Sequence, residues 1–252
     1  MKIEALSAEI GGRGILRDIN LEVGRSEWLA IVGGSGAGKS TLLRVLMGLK
    51  RPARPTQGEI HFNGAHWRFA DQAASRPKAM SFVPQSPAHG FDPLRRLLWQ
   101  IMQLKRRLGG EKTGHQALFE TLALPDPSTR YPHEWSRGMQ QRLLLAMALI
   151  EDPALLILDE PTSALDPIIA ARVLQEVQRI ATERDISVIM VTHDLALAAR
   201  YAHKIAIMKS GQIVESGSSH TVIVRPETEY ARELVAHRHW HSSQSKADYG
   251  SV

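Results

Sequence analysis

The stretch that decides the fold is EWLAIVGGSGAGKSTLLRVLMGL, Glu27 to Leu49. Its centre, GGSGAGKST (Gly33–Thr41), fits G-x-x-x-x-G-K-[ST] with Gly33, Gly38, Lys39 and Ser40 at the fixed positions. Before it, EWLAIVG is a short, mostly apolar run, the pattern of a strand buried on both faces. After it, KSTLLRVLMGL places apolar residues three and four apart, which predicts a helix. Between such flanks, glycines let the backbone curl so that successive N–H groups point inward and form a nest for phosphate oxygens. The helix adds its positive N-terminal end. Lys39 is placed to reach β- and γ-phosphates, and the Ser40 hydroxyl to hold Mg²⁺. The candidate nucleotide-binding residues are therefore Gly33, Gly34, Ser35, Gly36, Ala37, Gly38, Lys39, Ser40 and Thr41. A plain glycine-rich turn is the competing reading, and the strand before and the helix after argue against it.

Working outward, short apolar runs keep alternating with helical patterns. GEIHFNG and AMSFVPQ read as strands, the second ending at a proline. From about Pro87 to Ile150 strand signals stop and helix formers dominate, which predicts an inserted helical subdomain. ALLILDE then reads as a strand, DPIIAARVLQEVQRIATER as a long helix and SVIMVTHD as another strand. KIAIMKSGQIVESG reads as a hairpin turning at Ser210-Gly211, and after Pro226 come one helix and a polar tail. This alternation predicts an α/β fold with a mostly parallel sheet and ligands at the carboxyl ends of strands. The expected domains are a core of residues 1–86 and 151–225, a helical subdomain of 87–150, and a C-terminal helix and tail of 226–252.

LLILDEPTSALD places Asp159 and Glu160 at the end of an apolar strand. Two adjacent acids there lose solvation unless something uses their charge. Beside a phosphate loop, Asp159 reads as holding Mg²⁺ through water and Glu160 as the general base for an attacking water. A helix N-cap is the competing reading.

Bulk composition narrows the class. The chain has 252 residues, 43% of them apolar, enough for one large domain or two subdomains with a real core. It has no cysteine, which excludes disulfides, thiolate metal sites and iron–sulfur clusters. The N-terminal MKIEALSAEI carries Glu4 where a signal peptide needs an apolar run. The longest fully apolar run, LLLAMALI, is too short to span a bilayer, so a soluble chain is expected. A net charge of +5 permits nucleic acid, anionic lipid or a phosphorylated ligand without choosing among them.

Taken together, these motifs resemble those of the ATP-binding subunit of ABC transporters. The Walker A loop is Gly33–Ser40, and the Walker B strand ends at Asp159 with Glu160 after it. FVPQ puts Gln85 at the family's Q-loop glutamine, SALD puts Asp166 at the D-loop, and VTHD puts His193 at the switch histidine. WSRGMQQR occupies the signature position, usually LSGGQ. The motifs occur in family order, and the resemblance covers about residues 1 to 235. It implies a P-loop NTPase core with an antiparallel β portion beside the mostly parallel sheet. It also implies ATP and Mg²⁺ as ligands, with Gln85 joining Ser40 and Asp159 around the metal. A narrower likeness, in RYPHEWSRGMQQRLLLAMALIEDPALLILDEPTSALD, QSPAHGFDP and PETEYARELV, is to the dipeptide, oligopeptide and nickel (Opp/Dpp/Nik) importers.

What the resemblance implies is a bacterial engine on the cytoplasmic face of the inner membrane. Its partners would be a second ABC ATPase subunit, usually non-identical in this group, integral membrane permease subunits, and an extracytoplasmic substrate-binding protein. Glu160, His193 and Gln85 would support water attack on the γ-phosphate, while Ser136, Gly138 and Asp166 would close over ATP held by the partner. A metal-chelate importer ATPase is an alternative. So is a soluble ABC-type ATPase acting on nucleic acid, although the long coiled-coil insertion or tandem ATPase domains usual there do not fit in 252 residues. No nucleic-acid partner is therefore expected.

The chain departs from the family pattern at several places. Ile10 aligns with the family's aromatic residue that stacks on adenine, and the Arg13 guanidinium, which can stack on a flat ring, is the candidate to cover the base instead. In the signature, Trp135 replaces leucine, Arg137 the first glycine and Met139 glutamine, while Ser136 and Gly138 stay. For Arg137 three readings stand open: a Cβ that blocks backbone approach or excludes positive φ, a charge that pairs with phosphate, or a solvated side chain. In AHRHWH, the alternate His237, His239 and His241 read either as metal ligands or as a plain polar tail.

Overall fold

The computed structural model describes residues 1–49, 52–68, 79–109 and 115–236. Along the chain the strands are β1 (Lys2–Ile10), β2 (Arg13–Glu22), β3 (Trp28–Val32), β4 (Arg54–Phe62), β5 (Ala65–Arg68), β6 (Met80–Val83), β7 (Leu155–Asp159), β8 (Ser187–Thr192), β9 (Lys204–Lys209) and β10 (Gln212–Ser218). The α-helices are α1 (Lys39–Leu46), α2 (Leu97–Arg107), α3 (His115–Thr121), α4 (Arg137–Ile150), α5 (Pro167–Glu183), α6 (Leu195–Tyr201) and α7 (Ser219–Val224). Residues 229–236 are also helical. The chain divides into two compact units, Met1–Arg76 with Ile189–Val252, and Pro77–Val188.

In the first unit, β2-β1-β4-β5 form an antiparallel sheet. This is the antiparallel portion that the family resemblance implies. Its inner face is apolar, with Ile3, Leu6, Leu16, Ile19 and Ile60 at 0–1% exposure. A second set of strands follows the parallel rule: β3 lies parallel to β9, and β9 turns back antiparallel into β10. All five residues of β3 are buried, as a strand covered on both faces requires. The β9–β10 turn is Ser210-Gly211, both at positive φ (48° and 82°), the conformation that a two-residue hairpin favours.

In the second unit, β6 pairs parallel with β7, again fully buried along β7. Between them, the described residues from 87 to 150 contain no strand, only α2, α3, α4 and two short 3-10 turns, Pro87–Gly90 and Pro132–Glu134. Helix α4 buries Leu143, Leu144, Leu145, Ala146, Ala148, Leu149 and Ile150, so the longest apolar run of the chain is core. The boundary between the units falls within β8, whose six residues are all buried. Among the described residues, no helix is long and apolar enough to cross a membrane.

Candidate nucleotide-binding site

The loop from Gly33 to Thr41 joins β3 to α1, as its sequence predicts. Gly33 is buried against the β9 backbone, where a Cβ would stand 2.2 Å from the Met208 carbonyl oxygen. No other residue fits there. Gly38 caps α1 at φ 104°, a conformation open to glycine but strained for side chains. Gly36 has φ 77° and nothing near the place a Cβ would take, and Ser35, Gly36 and Ser40 are exposed. Gly34 and Thr41 are half-buried, and Ala37 is buried with its N–H donated back to the Gly34 carbonyl at 3.2 Å. The Lys39 ammonium donates to the carbonyls of Gly33 (2.7 Å) and Gly34 (3.0 Å), lying across its own loop.

Two further elements hold this loop. The Gly211 N–H donates to the Ala37 carbonyl at 2.8 Å. Gly211 is glycine of necessity: its φ is 82°, and a Cβ would stand 1.9 Å from the Ile15 carbonyl. The Tyr230 hydroxyl accepts the Gly34 N–H at 2.9 Å, and the Lys209 ammonium sits 4.5 Å above the Tyr230 ring. Tyr230 stands on the helix of residues 229–236. Glu215 anchors its start, accepting from the N–H groups of Glu227 (3.1 Å) and Thr228 (2.9 Å) and from the Thr228 hydroxyl (2.8 Å). Burial pushes the Glu215 carboxyl up, but these hydrogen bonds outweigh it and hold the group below its usual value. Sequence reasoning found neither Tyr230 nor Gly211 as parts of the site; the only available signals were PETEYARELV and the predicted hairpin turn.

His193 follows β8 and is exposed in the first unit. The next residue, Asp194, caps α6 by accepting from Ala196 (2.8 Å) and Leu197 (3.0 Å). Ile10, half-buried, ends β1 and pairs with the exposed Arg13 across the Gly11-Gly12 turn.

The second unit carries Gln85, Ser136, Gly138, Asp159, Glu160 and Asp166. Asp159 ends β7 at 7% exposure, and Glu160 follows at φ 48°, a strained conformation for a side-chain-bearing residue. No helix starts at these acids. The capping role belongs instead to Asp166, whose carboxylate accepts from Ile168 (3.2 Å) and Ile169 (3.0 Å) at the start of α5. Gln85 is exposed just past β6, and its carbonyl accepts from the Ser163 hydroxyl at 3.5 Å.

The PHEWSRGMQQR segment is a 3-10 turn leading into α4. The Glu134 carboxylate accepts the Tyr131 N–H at 2.6 Å, which pulls its pKa below the usual value, and Gln140 donates to the carbonyls of Pro132 (2.8 Å) and Trp135 (2.9 Å). Trp135 is a core residue at 5% exposure. Ser136 is the N-cap, accepting from Met139 N–H at 3.2 Å. Arg137 is the first helical residue and is exposed, so positive φ is not what this position demands. Gly138 packs close to the D-loop: a Cβ there would lie 3.2 Å from the Ala164 carbonyl and 3.1 Å from Leu165. Arg142, one turn further, donates to the carbonyls of Leu122 (2.8 Å) and Ala123 (2.6 Å) just after α3, and burial lowers its pKa against the pull of Asp166. The signature segment and the D-loop thus meet within one unit. His237, His239 and His241 lie outside the described residues.

A buried parallel strand, a glycine loop cradled by backbone and a helix opening at Lys39 define a P-loop nucleotide-binding α/β protein. The cradle suits a phosphate chain, since exposed Gly36 leaves room where a side chain would intrude. The exposed Ser40 hydroxyl at the start of α1 is an oxygen donor of the hard kind that suits Mg²⁺. Comparison with known proteins narrows this class. The ABC transporter family profile matches residues 16–163. The chain is 35% identical over 233 residues to the dipeptide transport ATP-binding protein DppD of Lactococcus lactis subsp. cremoris, covering 87% of this chain and 67% of that one. It is also 35% identical over 234 residues to the oligopeptide transport ATP-binding protein OppD of Bacillus subtilis, covering 88% of this chain and 65% of that one. A solved structure described as the ATP binding subunit of an ABC transporter superposes with a TM-score of 0.77 at 25% identity, covering 92% of this chain and 98% of that one. The chain belongs to the ABC transporter family and is one of its ATPases.

Proposed function

We propose that the chain is the ATP-hydrolysing subunit of a bacterial importer of the peptide group, working on the cytoplasmic face of the inner membrane. The observation that carries the reading is the phosphate loop held against β9 by Gly33, together with the helix N-termini at Lys39 and Ser136. Peptide cargo is supported by the names of the DppD and OppD relatives. In this reading the loop N–H groups and Lys39 bind the β- and γ-phosphates. Ser40, Asp159 and Gln85 are the residues that would hold Mg²⁺, which neutralises charge developing on the phosphates when bound. Glu160 takes the proton of the attacking water, and His193 supports that attack. Ser136 and Gly138 present a capped helix start to ATP bound by a second ATPase subunit, non-identical to this one, with Asp166 beside them. Residues 87–150 and Gln85 pass the motion to membrane subunits, and a binding protein outside the membrane delivers the cargo. Nucleic acid has no place in this scheme. The test is Glu160→Gln in the reconstituted transporter, measured by ATP binding, ATP turnover and peptide uptake. Binding is expected to persist while turnover and uptake stop; normal turnover in that variant would refute the assignment of the base.

A further inference from the structure

The solvent face of the β1–β4–β5 sheet carries a cluster of side chains that nucleotide chemistry does not use. Glu4 on β1 stands directly opposite Glu59 on β4, Lys2 opposite His61, His61 opposite His66 on β5, and Glu59 opposite Arg68. The alternating residues Ile3, Ile60 and Phe62 point into the core, so this set shares the outer face. The β4–β5 turn is Asn63-Gly64 with φ of 50° and 76°, a two-residue hairpin turn. In such a hairpin Phe62 and Ala65 form the hydrogen-bonded pair closing the turn. His61 and His66 are then the next, non-hydrogen-bonded pair, in which side chains approach most closely.

The geometry matches that expectation. The two imidazoles stack with centroids 4.4 Å apart and 18° between planes. His66 Nε2 lies 2.9 Å from Glu59 Oε2, and His61 Nε2 lies 3.2 Å from Glu4 Oε2. The donor atoms of Glu59, His61 and His66 all fall within 4.8 Å of one another. Ligand atoms around a tetrahedral ion bound at 2.0–2.2 Å sit about 3.4 Å apart, so only small side-chain rotations separate this cluster from a coordination shell. Two carboxylates directly opposite on neighbouring strands repel. Lys2 takes one oxygen of Glu4 (2.7 Å) and Arg68 one oxygen of Glu59 (3.0 Å), and each second oxygen is turned to an imidazole. Two imidazole nitrogens with carboxylate oxygens select a borderline transition ion over Mg²⁺ or Ca²⁺, which prefer oxygen alone.

We propose that this hairpin face binds a borderline divalent transition-metal ion, with Zn²⁺ as reference, through His61, His66 and Glu59, and with Glu4 as the fourth ligand. The ion clips β4 to β5 and relieves the apposition of Glu4 and Glu59. The test is calorimetric titration of the full-length chain with Zn²⁺ in chelator-free buffer, in a background carrying H237A, H239A and H241A so that the tail is silent. The expected result is one ion per chain, a higher melting temperature with Zn²⁺ than with EDTA, and no competition from Mg²⁺. H61A and H66A should each weaken binding by at least about tenfold, since even supporting ligands contribute that much. E59Q, which leaves both histidines in place, should weaken it as well and serves where a histidine variant melts early in EDTA. The proposal is overturned if Zn²⁺ binding vanishes with the tail histidines. It is equally overturned if H61A, H66A and E59Q all leave stoichiometry and affinity unchanged, for the cluster is then an ion-pair ladder only.

Discussion

Tyr230→Phe removes one atom from the support of the phosphate loop. The hydroxyl accepts the Gly34 N–H at 2.9 Å, while the ring, which phenylalanine keeps, carries the Lys209 ammonium at 4.5 Å. A neutral hydrogen bond of this kind contributes about 1 kcal/mol net. Gly34 is half-buried, so water can replace the lost acceptor and the loss stays near that value instead of rising to a full desolvation penalty. For a chain of this size, about 1 kcal/mol lowers the melting temperature by about 2–4 °C. The loop must also be ordered when phosphate arrives. A loop held in advance binds more tightly than one that is ordered on binding, and about 1 kcal/mol corresponds to about fivefold. The expected outcome is therefore a lower melting temperature together with an ATP dissociation constant raised about two- to fivefold, read by scanning calorimetry and equilibrium nucleotide titration. A variant that melts earlier but binds ATP as tightly as the parent refutes the argument that Tyr230 positions the loop. A variant unchanged in both refutes the contact's importance altogether.

Gly211→Ala should destabilise the chain by about 1–3 kcal/mol, because it combines a strained φ with a Cβ 1.9 Å from the Ile15 carbonyl; the urea midpoint checks it. Glu160→Gln should slow ATP turnover by roughly 10² to 10⁴ while leaving ATP binding in place, the range typical of a lost general base. Glu215→Gln should destabilise the C-terminal helix at neutral pH. Because the folded Glu215 carboxyl titrates below its usual value, its contribution is present above that value and disappears as pH falls through the folded one, so parent and variant should converge in acid, as melting curves across pH would reveal. Arg137→Ala removes a cation from the start of α4, where it opposes the helix dipole. Melting should rise by the equivalent of about 0.3–1 kcal/mol, and ATP turnover of the assembled transporter should change at one of its two sites; unchanged turnover would remove Arg137 from the reckoning.

The parts of this fold that could be read in the sequence are those with local causes. The strand before Gly33, the helix after Gly38, the turn at Ser210-Gly211 and the buried strand ending at Asp159 each follow from a pattern a few residues long. The nine-residue β1 and ten-residue β2 were harder, because β1 is broken by register shifts and each holds a residue at positive φ, Ala5 and Asp18, which blurs the alternation. What no local pattern contains is the support of the loop. Met208, Gly211 and Tyr230 lie more than 150 residues after Gly33 in the chain, and their contacts with it are to backbone atoms, which leave no mark in residue type except the glycines.

Arg137 shows the same limit from the other side. In the sequence it stands where glycine is usual, and a glycine can be needed for its φ, for closeness or for its lack of charge. The structure removes the first cause, since Arg137 is the first residue of α4 with an N-cap before it. Closeness within the unit constrains the next residue, Gly138, whose Cβ would press on the Ala164 carbonyl. For Arg137, which is exposed, the effect of charge can be worked out. A guanidinium at a helix start weakens that helix alone, yet strengthens the pull of the same helix end on an arriving phosphate. Those two effects have opposite signs in stability and in binding. That is why Arg137→Ala should raise the melting temperature of the isolated chain while weakening, not strengthening, the grip of this segment on nucleotide; a gain in both would show that the arginine obstructs nucleotide, and unchanged binding that it is solvated and idle.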